Sequence, residues 1–190
     1  LGAVVEATDL RPTAKDQVES LGGKWLDVPM SAEEQARADE AAKNGYGWRP
    51  GEQYIQDQAA IVDKAVANAD IVITTALLPG RDAPRLIQAD TVAKMKPGSV
   101  IVDMAVETGG NVAGSECGKT VTTANGVHIL GVPNIPATVA TEASALYARN
   151  VYNFLETLFD ADQKFTLNQD DEIQKALLIT HAGQVLLKRG

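Results

Sequence analysis

Ile71-Val72-Ile73-Thr74-Thr75 is a short, β-branched run without a charge, and Ser99-Val100-Ile101-Val102-Asp103 repeats that composition further along the chain. Runs of this kind suit strands covered on both faces, so both are predicted to be central strands. Working outward, further strand patterns fall at 3–8 and 24–28, with amphipathic helical patterns at about 13–21 and 53–67. Strands that alternate with helices predict a parallel sheet joined by crossover helices. Beyond Asp103, strand-like runs recur at 120–123 and 127–132, before the turn Pro133-Asn134-Ile135-Pro136. The character then changes. Residues 137–159 place Val139, Ala143, Leu146, Val151, Phe154, Leu155 and Leu158 at helical spacing. A polar stretch at 160–171 leads to a predicted small strand at 177–180 and a hairpin through Ala182-Gly183. The two-proline turn is therefore the expected boundary between a region 1–133 and a region 134–190.

Composition excludes several classes of function. The 190 residues carry 17 Lys and Arg against 25 Asp and Glu, a net charge of −8, and 45% are apolar. Without a basic cluster, duplex nucleic acid and anionic membrane surfaces are poor partners. Cys117 is the one cysteine, so no intrachain disulfide can form, and with His128 and His181 it cannot complete a closed zinc site. A reducing compartment is expected, with Cys117 inert and both histidines structural. No apolar run reaches the roughly 18 to 20 residues of a membrane span. Residues 1–6 lack the regions of a signal peptide. Leu1-Gly2 reads as a helix end running directly into a strand, so the chain is expected to begin within a domain.

Residues 29–52 form a connection far longer than the roughly 2 to 6 residues usual in such folds. Ser31 with Glu33 and Glu34 predicts the start of a short charged helix over 31–43. Its apolar face is alanine, so weak packing is expected. Gly45-Tyr46-Gly47-Trp48-Arg49-Pro50-Gly51 then sets two aromatics among glycines, the composition of a hinged lid.

Three places can carry chemistry. Asp9 follows the first strand, where an acid in a dinucleotide fold accepts hydrogen bonds from both hydroxyls of the adenosine ribose and repels a 2′-phosphate. That favours NAD over NADP, with Arg11 partly offsetting the charge; the other reading of Asp9 is a cap for the helix at Thr13. The Gly-x-Gly-x-x-Gly fingerprint is absent from the chain, and its expected position lies before Leu1. Ile73-Thr74-Thr75-Ala76-Leu77-Leu78-Pro79-Gly80 turns outward at the ligand-binding edge of a parallel sheet, or is an ordinary strand end. Glu107, just past another strand end, can face a nicotinamide or act as a base, or be a solvated loop acid.

Together, Ala7-Thr8-Asp9-Leu10-Arg11-Pro12, Glu19-Ser20-Leu21-Gly22-Gly23, the 73–80 segment, Met95-Lys96-Pro97-Gly98-Ser99-Val100-Ile101-Val102-Asp103, Ala105-Val106-Glu107 and Gly109-Gly110-Asn111 resemble one family. It is the NAD(H)-binding domain of proton-translocating nicotinamide nucleotide transhydrogenases and, more distantly, alanine dehydrogenase. The 29–52 insertion and Gly45-Tyr46 tip the resemblance toward the transhydrogenases. It implies an α/β fold: a Rossmann-like doubly wound parallel sheet lacking its first strand and Gly-rich turn. The long helix and small β-hairpin after it would belong to a second domain. Residues 1–133 would then be a partial NAD(H)-binding domain, and 134–190 the return segment of a companion domain.

By the same resemblance, Asp9, Leu10 and Arg11 meet the adenosine ribose, Gly45 and Tyr46 belong to a lid, and Gln58 and Leu77 line the nucleotide site. Thr75, Glu107 and Gly109 are placed near the nicotinamide, and no residue is assigned direct catalysis or a metal. The implied activity is direct hydride transfer from NADH to NADP⁺ held on a separate NADP(H)-binding domain, coupled to proton translocation by a membrane domain. A homodimer, peripheral to the cytoplasmic face of the inner membrane, is implied as well. The alternatives are an alanine dehydrogenase-like, NAD-dependent amino-acid oxidoreductase and a noncatalytic fragment that keeps the fold.

Overall fold

A computed structural model describes residues 2–11, 13–43, 50–78 and 80–186. The chain divides into two compact units, Leu1–Pro133 and Asn134–Gly190. In the first, β1 (Glu6–Ala7), α1 (Ala14–Ser20), β2 (Lys24–Trp25), α2 (Ala32–Lys43), α3 (Glu52–Asn68), β3 (Ile71–Thr74), α4 (Ala89–Ala93) and β4 (Val100–Asp103) alternate. A 3-10 turn at Val106–Thr108 precedes β5 (Lys119–Thr122) and β6 (His128–Gly131). β1 pairs with β2 in parallel. The larger sheet has the order β3-β4-β6-β5. β3, β4 and β6 are parallel, with Ile71 opposite Val100 and Ile101 opposite Ile129, whereas β5 runs antiparallel to β6. This is the α/β architecture that the alternating pattern predicts.

Ile101, Ile129, Val112 and Val127 are fully buried, and with Ile87, Val92, Met95 and Val66 they build the core beneath this sheet. β4 is central, as its composition predicts. β3 is not: it is an edge strand whose Ile71 and Ile73 are 67% and 63% exposed, so only Val72 and Thr74 face covered ground. The runs at 3–8 and 24–28 shrink to two paired residues each. A ribbon of two strands has little to hold it flat, and pairing frays at both ends.

α1 ends where Gly22 takes φ +82°, its N–H donating to Glu19 C=O while Gly23 N–H reaches Val18 C=O. That is the left-handed stop that the Gly22-Gly23 pair provides. α2 starts as predicted, with Ser31 Oγ accepting from Glu34 N–H at 3.1 Å. Its packing differs from the expected weak contact. Ala38 is completely buried and joins Val28 and Tyr54 in a second core cluster, against which Leu10, Ala41 and Ile61 also pack. A small side chain lets the helix backbone approach its neighbours closely, so alanine here anchors the helix. Glu34, also buried, accepts from Gly51 N–H at 2.6 Å and from Arg37 at 2.7 Å. A Cβ at Gly51 would stand 2.5 Å from Glu34 Oε1, so a larger residue there would make the Glu34 carboxylate shift.

In the second unit, the single helix expected over 137–159 begins as a 3-10 turn, Ile135–Val139, before α5 (Ala140–Thr157). No residue of α5 is buried, and Leu146, Tyr147, Val151 and Leu155 are exposed. α6 (Glu172–Leu177) is absent from the sequence reading, which instead places a strand at 177–180. The helix forms because Asp171 caps it, accepting from Gln174 N–H at 2.8 Å. Gln174, buried, then donates to Thr157 C=O and accepts from Asn168 N–H, tying α6 to the end of α5. Of the expected strand only Leu177 lies in α6; β7 (Thr180–His181) pairs with β8 (Gln184–Val185), and Leu186 N–H donates to Ile179 C=O at 2.8 Å, which carries the pairing back to Ile179. The predicted hairpin turn is present, with Ala182 and Gly183 both at positive φ as a type I′ turn demands. Among the described residues, no helix is long and apolar enough to cross a membrane.

Candidate dinucleotide site

Seven of the ten predicted site residues fall into two groups just past the carboxyl ends of strands: Asp9, Leu10 and Arg11 after β1, and Thr75, Leu77, Glu107 and Gly109 after β3 and β4. The first follows β1. Asp9 does not cap α1; its Oδ1 accepts from the N–H and Nε of Arg11 at 2.8 and 3.1 Å, and its Oδ2 from Nη2 at 2.9 Å. The carboxylate is thus held in a fork, yet its side chain stays 35% exposed. The Leu10 side chain packs against the cluster of Val28, Ala38 and Tyr54. Gln58 is half-buried on α3, the helix that carries Tyr54. Gly45 and Tyr46 lie outside the described residues.

Burial disfavours the charged form of Asp9, but the side-chain and backbone hydrogen bonds from Arg11, with its positive charge, outweigh it and lower the pKa below the ordinary 3.8. A lowered folded-state pKa contributes stability that is present above the ordinary aspartate value and lost as pH falls through the folded one. The partial exposure keeps that contribution small. Following the Asp9 carboxyl carbon by NMR against pH should give a midpoint below 3.8, and a midpoint at or above it would contradict the pairing with Arg11.

The second group lies past β3 and β4. Thr75 and Leu77 are exposed beyond β3, Leu77 by 58%. Glu107 is exposed in the 3-10 turn after β4, and Gly109 closes that turn at φ +97°. Two buried polar residues that sequence reasoning missed as parts of the site join these loops. Asp103 is fully buried and accepts from Thr74 Oγ1 at 3.3 Å and from the N–H groups of Ala105, Asn111 and Val112 at 3.1, 3.2 and 3.2 Å. Asn111, also fully buried, bonds through its carboxamide to Ala76 and Pro84. Arg85 adds a clamp, donating to the carbonyls of Val112 and Gly109. The available signal is the Gly-Gly-Asn triplet: Gly110 sits at φ +78°, and a Cβ there would meet Asp103 Oδ2 at 2.5 Å.

A cavity of about 340 Å³ opens between the starts of α2 and α3, but Glu34, Glu52 and Asp57 line it. Three carboxylates make it unsuited to an anionic dinucleotide. The strand ends fit one better. Past the end of β1, the partly exposed Asp9 carboxylate keeps acceptor capacity beyond its bonds to Arg11. Such an acceptor matches a polyhydroxylated ligand such as a ribose.

Comparison with known proteins agrees with this architecture. The family model for the alanine dehydrogenase/PNT C-terminal domain matches residues 1–188. An NAD(P) transhydrogenase subunit alpha polypeptide of Rhodospirillum rubrum is 46% identical over 187 residues, 98% of this chain and 47% of that protein. The transhydrogenase of Sinorhizobium meliloti superposes with a TM-score of 0.61 at 45% identity, over 82% of this chain and 37% of that one. Alanine dehydrogenase of Halomonas elongata is 32% identical over 133 residues, 67% of this chain and 35% of that protein. The chain spans about half the length of the transhydrogenase relative from Rhodospirillum rubrum. By the match of this family model over residues 1–188, the chain belongs to the alanine dehydrogenase/PNT C-terminal domain family.

Proposed function

We propose that this chain is part of the NAD(H)-binding component of a nicotinamide nucleotide transhydrogenase. In that reading hydride passes directly between NADH here and NADP⁺ on a partner domain, while a membrane domain of the same enzyme couples the transfer to proton translocation. Asp9 carries the proposal: a partly exposed carboxylate past β1, held by Arg11, suits two free ribose hydroxyls and opposes a phosphate in their place. The greater identity to the transhydrogenase, 46% against 32% for the alanine dehydrogenase, supports this branch over amino-acid oxidation.

The bound cofactor supplies the hydride, and this chain's residues bind and orient it. Asp9 and Arg11 hold the adenosine ribose, with Leu10 contributing through its main chain; Gln58 and Leu77 line the nucleotide site, and Gly45 and Tyr46 are assigned to its lid. Thr75, Glu107 and Gly109 border the nicotinamide. Such a transfer needs positioning more than acid–base chemistry, so the scarcity of histidine is no obstacle. The proposed setting is a homodimer, peripheral to the cytoplasmic face of the inner membrane. The test uses the full-length protein assembled with its partner domains and NADH deuterated at the transferred position. Deuterium should arrive in NADPH undiluted by solvent. Wash-out into water, or alanine-dependent reduction of NAD⁺ in its place, would defeat the proposal.

A further inference from the structure

Main-chain pairing between β3 and β4 stops at Thr74 opposite Asp103. Two residues on, at Ala76, a side chain takes over from a strand. Asn111 Oδ1 accepts from Ala76 N–H at 3.0 Å, and Nδ2 donates to Ala76 C=O at 2.9 Å and to Pro84 C=O at 2.8 Å. The Asn111 main chain is occupied too, its N–H donating to Asp103 and its C=O accepting from Leu86 and Ile87. A carboxamide is the one short side chain with a donor and an acceptor in one plane, so it can pair with both main-chain groups of a single residue as a peptide would. Aspartate lacks the donors, and glutamine is a methylene too long for a packed site.

We propose that Asn111 is a positioning residue for the nicotinamide half of the dinucleotide site; this rests on the NAD(H) reading above. Being fully buried, it acts through Ala76. It holds the main chain at Ala76 beyond the last strand pair, and Thr75 and Leu77, on either side of Ala76, are exposed there. Through Pro84 it fixes the same loop whose Arg85 grips Gly109, so the 75–77 and 107–109 segments share one scaffold. The adenosine side, past β1, is built on other residues.

The test compares NADH with AMP, which reaches only the adenosine side, by calorimetric titration of the full-length protein. Asn111→Ala should bind AMP within about twofold of the unmutated protein and NADH about tenfold more weakly, the loss expected from a strand end no longer held by its hydrogen bonds. Asn111→Ser leaves room for a bridging water and should lie between, and it serves alone if the alanine variant does not fold. A parallel loss of both ligands would assign Asn111 a merely structural role and overturn the proposal, as would unchanged NADH binding. If the unmutated protein binds neither ligand, the NAD(H) reading itself fails, a result distinct from either.

Discussion

Asp103→Ala is expected to destabilise the first unit by about 3–5 kcal/mol, the cost of stranding several buried donors at once. The Asp103 side chain is completely buried, and its two oxygens satisfy the Thr74 hydroxyl and three main-chain N–H groups. Those N–H groups belong to Ala105, Asn111 and Val112, whose chain curls round the carboxylate through Gly109 and Gly110, both at positive φ. Alanine leaves the loop curled about nothing. Thr74→Val removes only the longest of the four bonds and should cost about 1 kcal/mol or less. Denaturant unfolding of both variants checks this ordering, and an Asp103→Ala loss as small as that of Thr74→Val would show that the loop is held by other contacts.

Asp9→Ala is expected to weaken NADH binding by about ten- to a hundredfold, since hydrogen bonds to a charged acceptor contribute roughly 1.5–3 kcal/mol. NADPH should lose nothing and can gain. With its carboxylate partner gone, the Arg11 guanidinium is released from its fork and is free to meet a 2′-phosphate. The preference between the two nucleotides should therefore shrink or reverse, although the fold is intact, because the removed group is partly exposed and supports no core contact. Titration of the full-length variant with both nucleotides measures this. A preference that survives the substitution would move the selecting group elsewhere.

Much of the fold is legible in the sequence because burial is written in composition. Val100 to Asp103 reads as a central strand and is one, and the Gly22-Gly23 stop ends its helix as expected. Ile71 to Thr74 has the same composition yet forms an edge, because β-branched content reports strand geometry and says nothing of whether a neighbour covers it. Leu177-Leu178-Ile179 looks like a strand, and Ile179 does join the hairpin, but Leu177 ends a helix whose signal lies upstream, in the capping acid Asp171. Alanines in α2 carry little hydrophobicity and so predict weak packing, whereas the absence of bulk is what seats Ala38 against Tyr54. In the candidate site, exposed loop residues can be named by type and place. The buried pair beneath them is marked only by the Gly109-Gly110-Asn111 triplet: Asp103 and Asn111 are polar residues whose worth lies in main-chain partners, several of them distant in sequence, which the triplet does not name.

The most direct measurement is calorimetric titration of the full-length, unmutated protein with NADH and with NADPH under the same salt and pH. A carboxylate at position 9 that receives a free ribose predicts clear binding of NADH and binding of NADPH at least about tenfold weaker, the scale of one charge-assisted hydrogen bond or more. Equal affinities, or tighter NADPH, would contradict the central claim that Asp9 selects the nucleotide without the extra phosphate.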